Sequence, residues 1–146
     1  MMPKNTFRLG AHDGAHYLHL FDLTAVSSVR PELCRRFGWS DQASAKVGEG
    51  DLEFDVYMNA ANGVVAPDQL EAARSVLSQI VEMDDTARSI PTDLDHDEVL
   101  ARVKLIDVNK VRFRYFATTV NTEWDVDFTL NVNGAWECAG IVPPRQ

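Results

Sequence analysis

Asn121-Thr-Glu-Trp-Asp-Val-Asp-Phe-Thr-Leu-Asn-Val-Asn-Gly-Ala-Trp136 alternates acidic and apolar side chains, the period of a strand with two unlike faces. Glu123, Asp125 and Asp127 take one parity, and Trp124, Val126, Phe128 and Leu130 take the other. The stretch before it, Lys110-Val-Arg-Phe-Arg-Tyr-Phe116, supplies the complement. A tight turn centred between Thr119 and Val120 sets Arg112 against Asp127 and Arg114 against Asp125, with Phe113 against Val126 and Tyr115 against Trp124. One register thus matches charge with charge on one face and apolar with apolar on the other. Cross-strand pairs of this kind contribute roughly 0.2–1 kcal/mol each.

The three carboxylates are therefore expected to form a solvent-side ion-pair ladder. A catalytic pair needs environments that split the two pKa values, and neighbouring arginines hold both acids ionised. A hard metal needs oxygens that converge, whereas alternate strand residues project in parallel. Neither a catalytic residue nor a metal ligand is read from this strand.

The period of two extends on both sides. From Val99 to Val142 the chain reads as four strands, about 99–108, 111–118, 122–131 and 135–142. Their connections, at Asn109-Lys110, Thr118 to Asn121, and Val132 to Gly134, are short enough for hairpins. A three-residue loop with Gly134 left-handed sets Leu130 against Trp136 and Phe128 against Cys138. A two-residue Asn133-Gly134 turn would oppose Leu130 to Glu137; the first is preferred because it buries Trp136.

Upstream, Asp51-Leu-Glu-Phe-Asp-Val-Tyr-Met58 puts Leu52, Phe54, Val56 and Met58 on one face. Pro67 then opens a helix to about Asp85 or Arg88, with Leu70, Ala73, Leu77, Ile80, Val81 and Met83 near one stripe. Ile90-Pro91 closes it, since proline disfavours helical geometry in the residue before it. The expected fold is a single α+β domain over residues 1–146. Its antiparallel sheet combines the C-terminal four-stranded meander with a strand near 51–58, and one long helix packs on one face.

The first 66 residues are less legible. His16 to Val26 is apolar enough for a strand or a short helix, while Pro31-Glu-Leu-Cys-Arg-Arg-Phe37 with Gly38 fits a short helix. His12, Asp13, His16 and His19 would gather for zinc only on a helix, and Gly14 weighs against one there. Cys34 beside Arg35 and Arg36 reads better as a core-facing residue than as an activated thiolate.

Charge narrows the function classes. The chain carries 22 acids and 14 bases, a net charge of −8, which favours basic partners and disfavours nucleic acid and anionic membranes. Arg112 and Arg114 also point away from Phe113 and Tyr115, so stacking rings and phosphate-binding cations fall on opposite faces. No run approaches the roughly 20 apolar residues of a membrane span. With two cysteines and no signal-like start, a cytoplasmic protein with reduced thiols is expected. No nucleophile elbow, Walker loop, dinucleotide fingerprint or zinc-protease motif appears, and no cofactor is implied.

Residues 82–98 hold seven acids (Glu82, Asp84, Asp85, Asp93, Asp95, Asp97 and Glu98) against one base, Arg88. Asp93-Leu-Asp-His-Asp97 begins like a calcium loop, but Glu98 replaces the required glycine and Lys104 the bidentate glutamate. The segment is expected to be a solvated connection or an acidic docking surface.

The order of strand (Leu52-Glu-Phe-Asp-Val56), helix, acidic connector and meander, with Phe113-Arg-Tyr115 and Gly134-Ala-Trp136, resembles small bacterial domains of unknown function. Some similar small acidic proteins are immunity proteins, which bind and neutralise a partner toxin. The resemblance covers roughly residues 51–141 and carries no catalytic residue across.

Two functions are expected from this reading. The first is a non-enzymatic domain that binds a basic protein through Asp84, Asp85, Asp93, Asp95, Asp97 and Glu98. The second is a small-molecule binder or enzyme with an apolar pocket between helix and sheet at Tyr115, Trp124 and Phe128, with Tyr115, Asp22 or a histidine supplying polar chemistry. A partly apolar outer sheet face, with Phe116 and, if the Asn109-Lys110 turn has two residues, Val103 and Leu105, is a candidate homodimer surface or a face covered by the N-terminal segment.

Overall fold

In the computed structural model the described residues are 9, 13–21, 27–29, 42–48, 53–61, 64–90, 98–117 and 122–142. The elements run α1 (Gly14–Leu20), β1 (Ser27–Val29), β2 (Gln42–Val47), β3 (Phe54–Ala61), β4 (Val64–Val65), α2 (Pro67–Arg88), β5 (Glu98–Asp107), β6 (Lys110–Ala117), β7 (Thr122–Leu130) and β8 (Trp136–Ile141). One sheet carries the order β1-β2-β3-β5-β6-β7-β8, with β4 paired to β3. The fold is α+β with a mostly antiparallel sheet and a long helix on one face.

β3 and β5 pair in parallel, Val56 opposite Val103. The helix makes this necessary: α2 carries the chain back across the sheet, so β5 runs in the direction of β3. The helix spans the stretch its periodicity implies. It buries Ala73, Val76, Leu77, Ile80 and Met83, while Leu70 and Val81 pack at the flanks of the core. The sheet meets it with Phe54, Val56, Met58, Leu100, Val103, Leu105, Phe113, Tyr115 and Phe128, each at most 2% exposed.

The β6–β7 register is the one charge and apolarity dictate, with Arg112 opposite Asp127, Arg114 opposite Asp125, Phe113 opposite Val126 and Tyr115 opposite Trp124. The β7–β8 connection is the three-residue form. Gly134 sits at φ 81°, Asn131 N donates to Ala135 O at 2.9 Å, and Leu130 faces Trp136. Asn131 Oδ1 also accepts from the Asn133 and Ala135 backbone N–H groups, holding the loop closed.

Two expectations are corrected. Val103 and Leu105 belong to the inner face, each 1% exposed, and not to an outer dimer surface. An irregularity between Leu105 and Asp107 moves the register so that Leu105 faces Val111 and Val103 faces Phe113. Of the three residues, Phe116 alone lies on the outer face, opposite Val99 and Glu123.

Gly14 is the second correction. It lies in the first turn of α1, directly after the N-cap Asp13, whose side chain accepts from His16 N at 3.1 Å. A glycine is needed there because a Cβ would collide with the Ser78 carbonyl of α2. The residue that weighed against a helix is what lets two helices touch. Gly14→Ala is expected to lower stability by roughly 1–3 kcal/mol, the range for overpacking a close contact. Urea unfolding followed by circular dichroism measures this, and an unchanged midpoint would refute the close approach.

Candidate functional site

Three groups of polar side chains lie around this frame: one beneath α2, one on the outer sheet face and one on the solvent side of α2.

Beneath α2, Asp84 is 0% exposed. Its Oδ1 accepts from the Tyr115 hydroxyl at 2.7 Å, both carboxylate oxygens accept from Arg88 Nε at 3.0 Å, and Oδ2 accepts from Leu9 N at 3.4 Å. Arg88 follows Asp84 by one helical turn and extends over the Tyr115 ring, 5.1 Å from its centroid. Leu9 O in turn accepts from the Tyr17 hydroxyl at 2.7 Å. Burial, and secondarily the Asp84 charge, pushes the Tyr17 phenol up to about 12.

Asp84 is therefore not part of a docking surface. A carboxylate with no exposed area is enclosed by donors, and a partner cannot reach it.

Tyr115 is fully buried and stacks on Trp124 with centroids 4.7 Å apart; Phe128 is 1% exposed and contacts the Phe113 ring. These aromatics lie on the sheet face that α2 covers. Trp124 is half-buried, and its indole N–H is enclosed without a hydrogen-bond partner. Two depressions lie elsewhere. One, of about 130 Å³, sits between Gln79, Met83 and Trp136; the other, of about 460 Å³, is beside Asn59, Val64 and Gln69.

On the outer face the ladder forms as two arginine forks. Arg112 Nε and Nη2 donate to Asp127 at 2.7 and 3.1 Å, and Arg114 donates to Asp125 at 2.9 and 3.2 Å. Glu123 adds a contact to Arg114 at 3.5 Å and Lys110 one to Asp127 at 3.6 Å. The carboxylates hold both guanidinium pKa values above their usual range. This is a tied-down charge lattice. It offers no pair of acids in unlike environments.

The solvent side of α2 differs. Asp68, Glu71, Glu82 and Asp85 are exposed there with one exposed base, Arg74. Asp68, Glu71 and Glu82 make no ion pair with a described residue. Glu98 opens β5, while Asp93, Asp95 and Asp97 lie outside the described residues, as do Asp22, Cys34, His12 and the expected helix at 31–37.

His16 and His19 share α1, with His16 edge-on to Tyr17 at 5.3 Å. Among the described residues no three of His, Cys, Asp and Glu converge as a metal site requires. No helix among the described residues is long and apolar enough to cross a membrane. Compared with protein-family models, curated proteins and solved structures, the chain finds no match.

Sequence reasoning missed a contact that fixes the β7–β8 turn. Gln79 donates to Gly134 O at 2.8 Å and accepts from Trp136 N at 3.1 Å, while the Trp136 indole donates to Ser75 Oγ at 3.1 Å. Ser75 and Gln79 are one turn apart on α2, a spacing that in hindsight marks a polar edge meeting the sheet.

The Tyr17 phenol gives a pH prediction. Its folded value, about 12, stands above its ordinary value of 10.0. This contribution to stability is full below pH 10 and is lost as pH rises toward 12. Absorbance titration should find that Tyr17→Phe removes one late-ionising phenol. Its ionisation at an ordinary pH would show the hydroxyl to be solvated.

Proposed function

We propose that the chain is a non-enzymatic protein-binding domain that uses its acidic helix side to engage a basic protein, in the manner of an immunity-type inhibitor. The observation that carries this reading is a contrast between acids. On the sheet, Asp125 and Asp127 are neutralised by arginines; on α2, Asp68, Glu71 and Glu82 meet no described cation. Charges without a counter-ion among the described residues, on one side of a rigid element, give steering and register to an encounter with a positive surface.

In sequence the acid-rich run Asp93, Asp95, Asp97 and Glu98 follows this helix, and the net charge of −8 acts in the same sense. A cytoplasmic setting suits the reading and is supported by an exposed, unbridged Cys138. The near-complete burial of Tyr115 and Phe128 favours this function over a pocket beneath the helix.

The test is capture of the tagged chain with its partner from native cells at low and high salt. A single basic protein should bind stoichiometrically and elute with salt. Replacing Glu71, Glu82 and Asp85 by their amides, together with Asp93, Asp95 and Asp97, should weaken it by roughly tenfold or more. Unchanged affinity in that variant would remove the acidic side from the interface.

A further inference from the structure

The outer sheet face holds a second charge imbalance, of opposite sign and on a different surface. Two rungs cross its centre. One runs Lys46–Asp55–Arg102–Arg114–Asp125, and the next runs Ser44–Tyr57–Lys104–Arg112–Asp127. The carboxylates in these rungs are already engaged. Asp55 pairs with Lys46 at 3.2 Å, and Glu53 approaches the same ammonium at 3.6 Å. Asp125 and Asp127 are held by the two arginine forks.

Arg102 and Lys104 remain. Neither makes an ion pair with a described residue, and they are neighbours on one side of β5. Arg102 lies over the Tyr57 ring, its guanidinium carbon 4.6 Å from the centroid. That contact orients the guanidinium plane but leaves its charge uncompensated. Lys104 stands between Tyr57 and Arg112, half-buried, with Arg102 and Arg114 in the adjacent rung. Desolvation, then the charges of Arg102, Arg112 and Arg114, lower its pKa below the usual lysine range.

A face that arranges cations so closely while spending its acids elsewhere is complementary to an anion. We propose that Arg102 and Lys104 form a binding site for a small phosphate-bearing dianion on the outer sheet face, with Arg112 at its margin. Two unit positive charges match a dianion. A preset guanidinium fork beside a mobile ammonium suits tetrahedral oxygens better than a flat apolar group. Tyr57 limits the ordering cost by holding Arg102 in place before the ligand arrives. The site does not depend on the protein-partner reading, since its surface and its sign are both different.

The probe is inorganic phosphate, titrated into the full chain at constant ionic strength against chloride, with backbone amides followed by nitrogen–proton correlation spectra. Saturable shifts should centre on Tyr57, Arg102, Lys104 and Arg112. Lys104→Gln should weaken the affinity about tenfold, the loss expected for one charge-assisted hydrogen bond. Lys46→Gln removes a cation from the same face, but one already paired, and should leave the affinity nearly unchanged.

Linear, unsaturated shifts, or equal weakening in both variants, would reduce the effect to general electrostatics and overturn the site. So would saturable shifts centred elsewhere. If Lys104→Gln does not fold, the location of the wild-type shifts decides: the four named residues support the site, and any other centre overturns it.

Discussion

The fold turns on one buried carboxylate. Asp84 enters the apolar stripe of α2 and is removed from water, a transfer that costs several kcal/mol unless the charge is paired and hydrogen-bonded. Among the described residues, every donor that meets it belongs to a part of the molecule that must be held in register. Tyr115 comes from the centre of β6, Arg88 from the next turn of α2, and the Leu9 N–H from the chain ahead of α1. Leu9 then accepts from Tyr17 in α1, so a chain of hydrogen bonds runs from sheet through long helix to short helix. Hydrophobic burial presses α2 onto the sheet, but apolar contacts tolerate sliding. A carboxylate that loses its partners when the helix shifts by a turn does not.

With that carboxylate enclosed, the acids divide into populations with different work. Those on β7 sit opposite arginines and are consumed in holding the sheet's outer face together. Asp68, Glu71 and Glu82, on the solvent side of α2, have no such counterparts among the described residues. The same division leaves Arg102 and Lys104 as surplus cations on the outer face. A chain with a net charge of −8 thus presents an anionic side at its helix and a local cationic centre on the opposite face of its sheet. The separation is a product of register, since moving β5 by one residue would turn Arg102 and Lys104 inward.

Much of this was legible in the sequence, for physical reasons that differ by element. The β6–β7 pairing could be derived because two alternations, one charged and one apolar, agree on a single register. The helix could be bounded because Pro67 and Pro91 punctuate it. The parallel β3–β5 pairing was implicit in a strand–helix–strand order but was not drawn from it. Val103 and Leu105 were misplaced because hairpin arithmetic assumes an unbroken ladder and the irregularity before Asp107 breaks it. Gly14 was misjudged because its cost to a helix is local, whereas its benefit lies 64 residues away at Ser78. Asp84 was hidden by its neighbours: in an acid-rich run it read as one more surface charge. Its spacing from Leu77, Ile80 and Arg88 was the available signal, and it points to the core.

The central claim is that Asp84 is a structural anchor, and the direct test is the unfolding free energy of Asp84→Ala beside that of Asp84→Leu/Arg88→Met. Removing the carboxylate takes from the buried Arg88 guanidinium, the Tyr115 hydroxyl and the Leu9 N–H the acceptor they share, and should cost about 3–5 kcal/mol in urea unfolding. Replacing both charges by apolar groups of similar volume should recover part of that loss, since the Tyr115 hydroxyl and the Leu9 N–H still lack this acceptor. A change of less than about 1 kcal/mol in Asp84→Ala, the size of an ordinary surface substitution, would contradict the account.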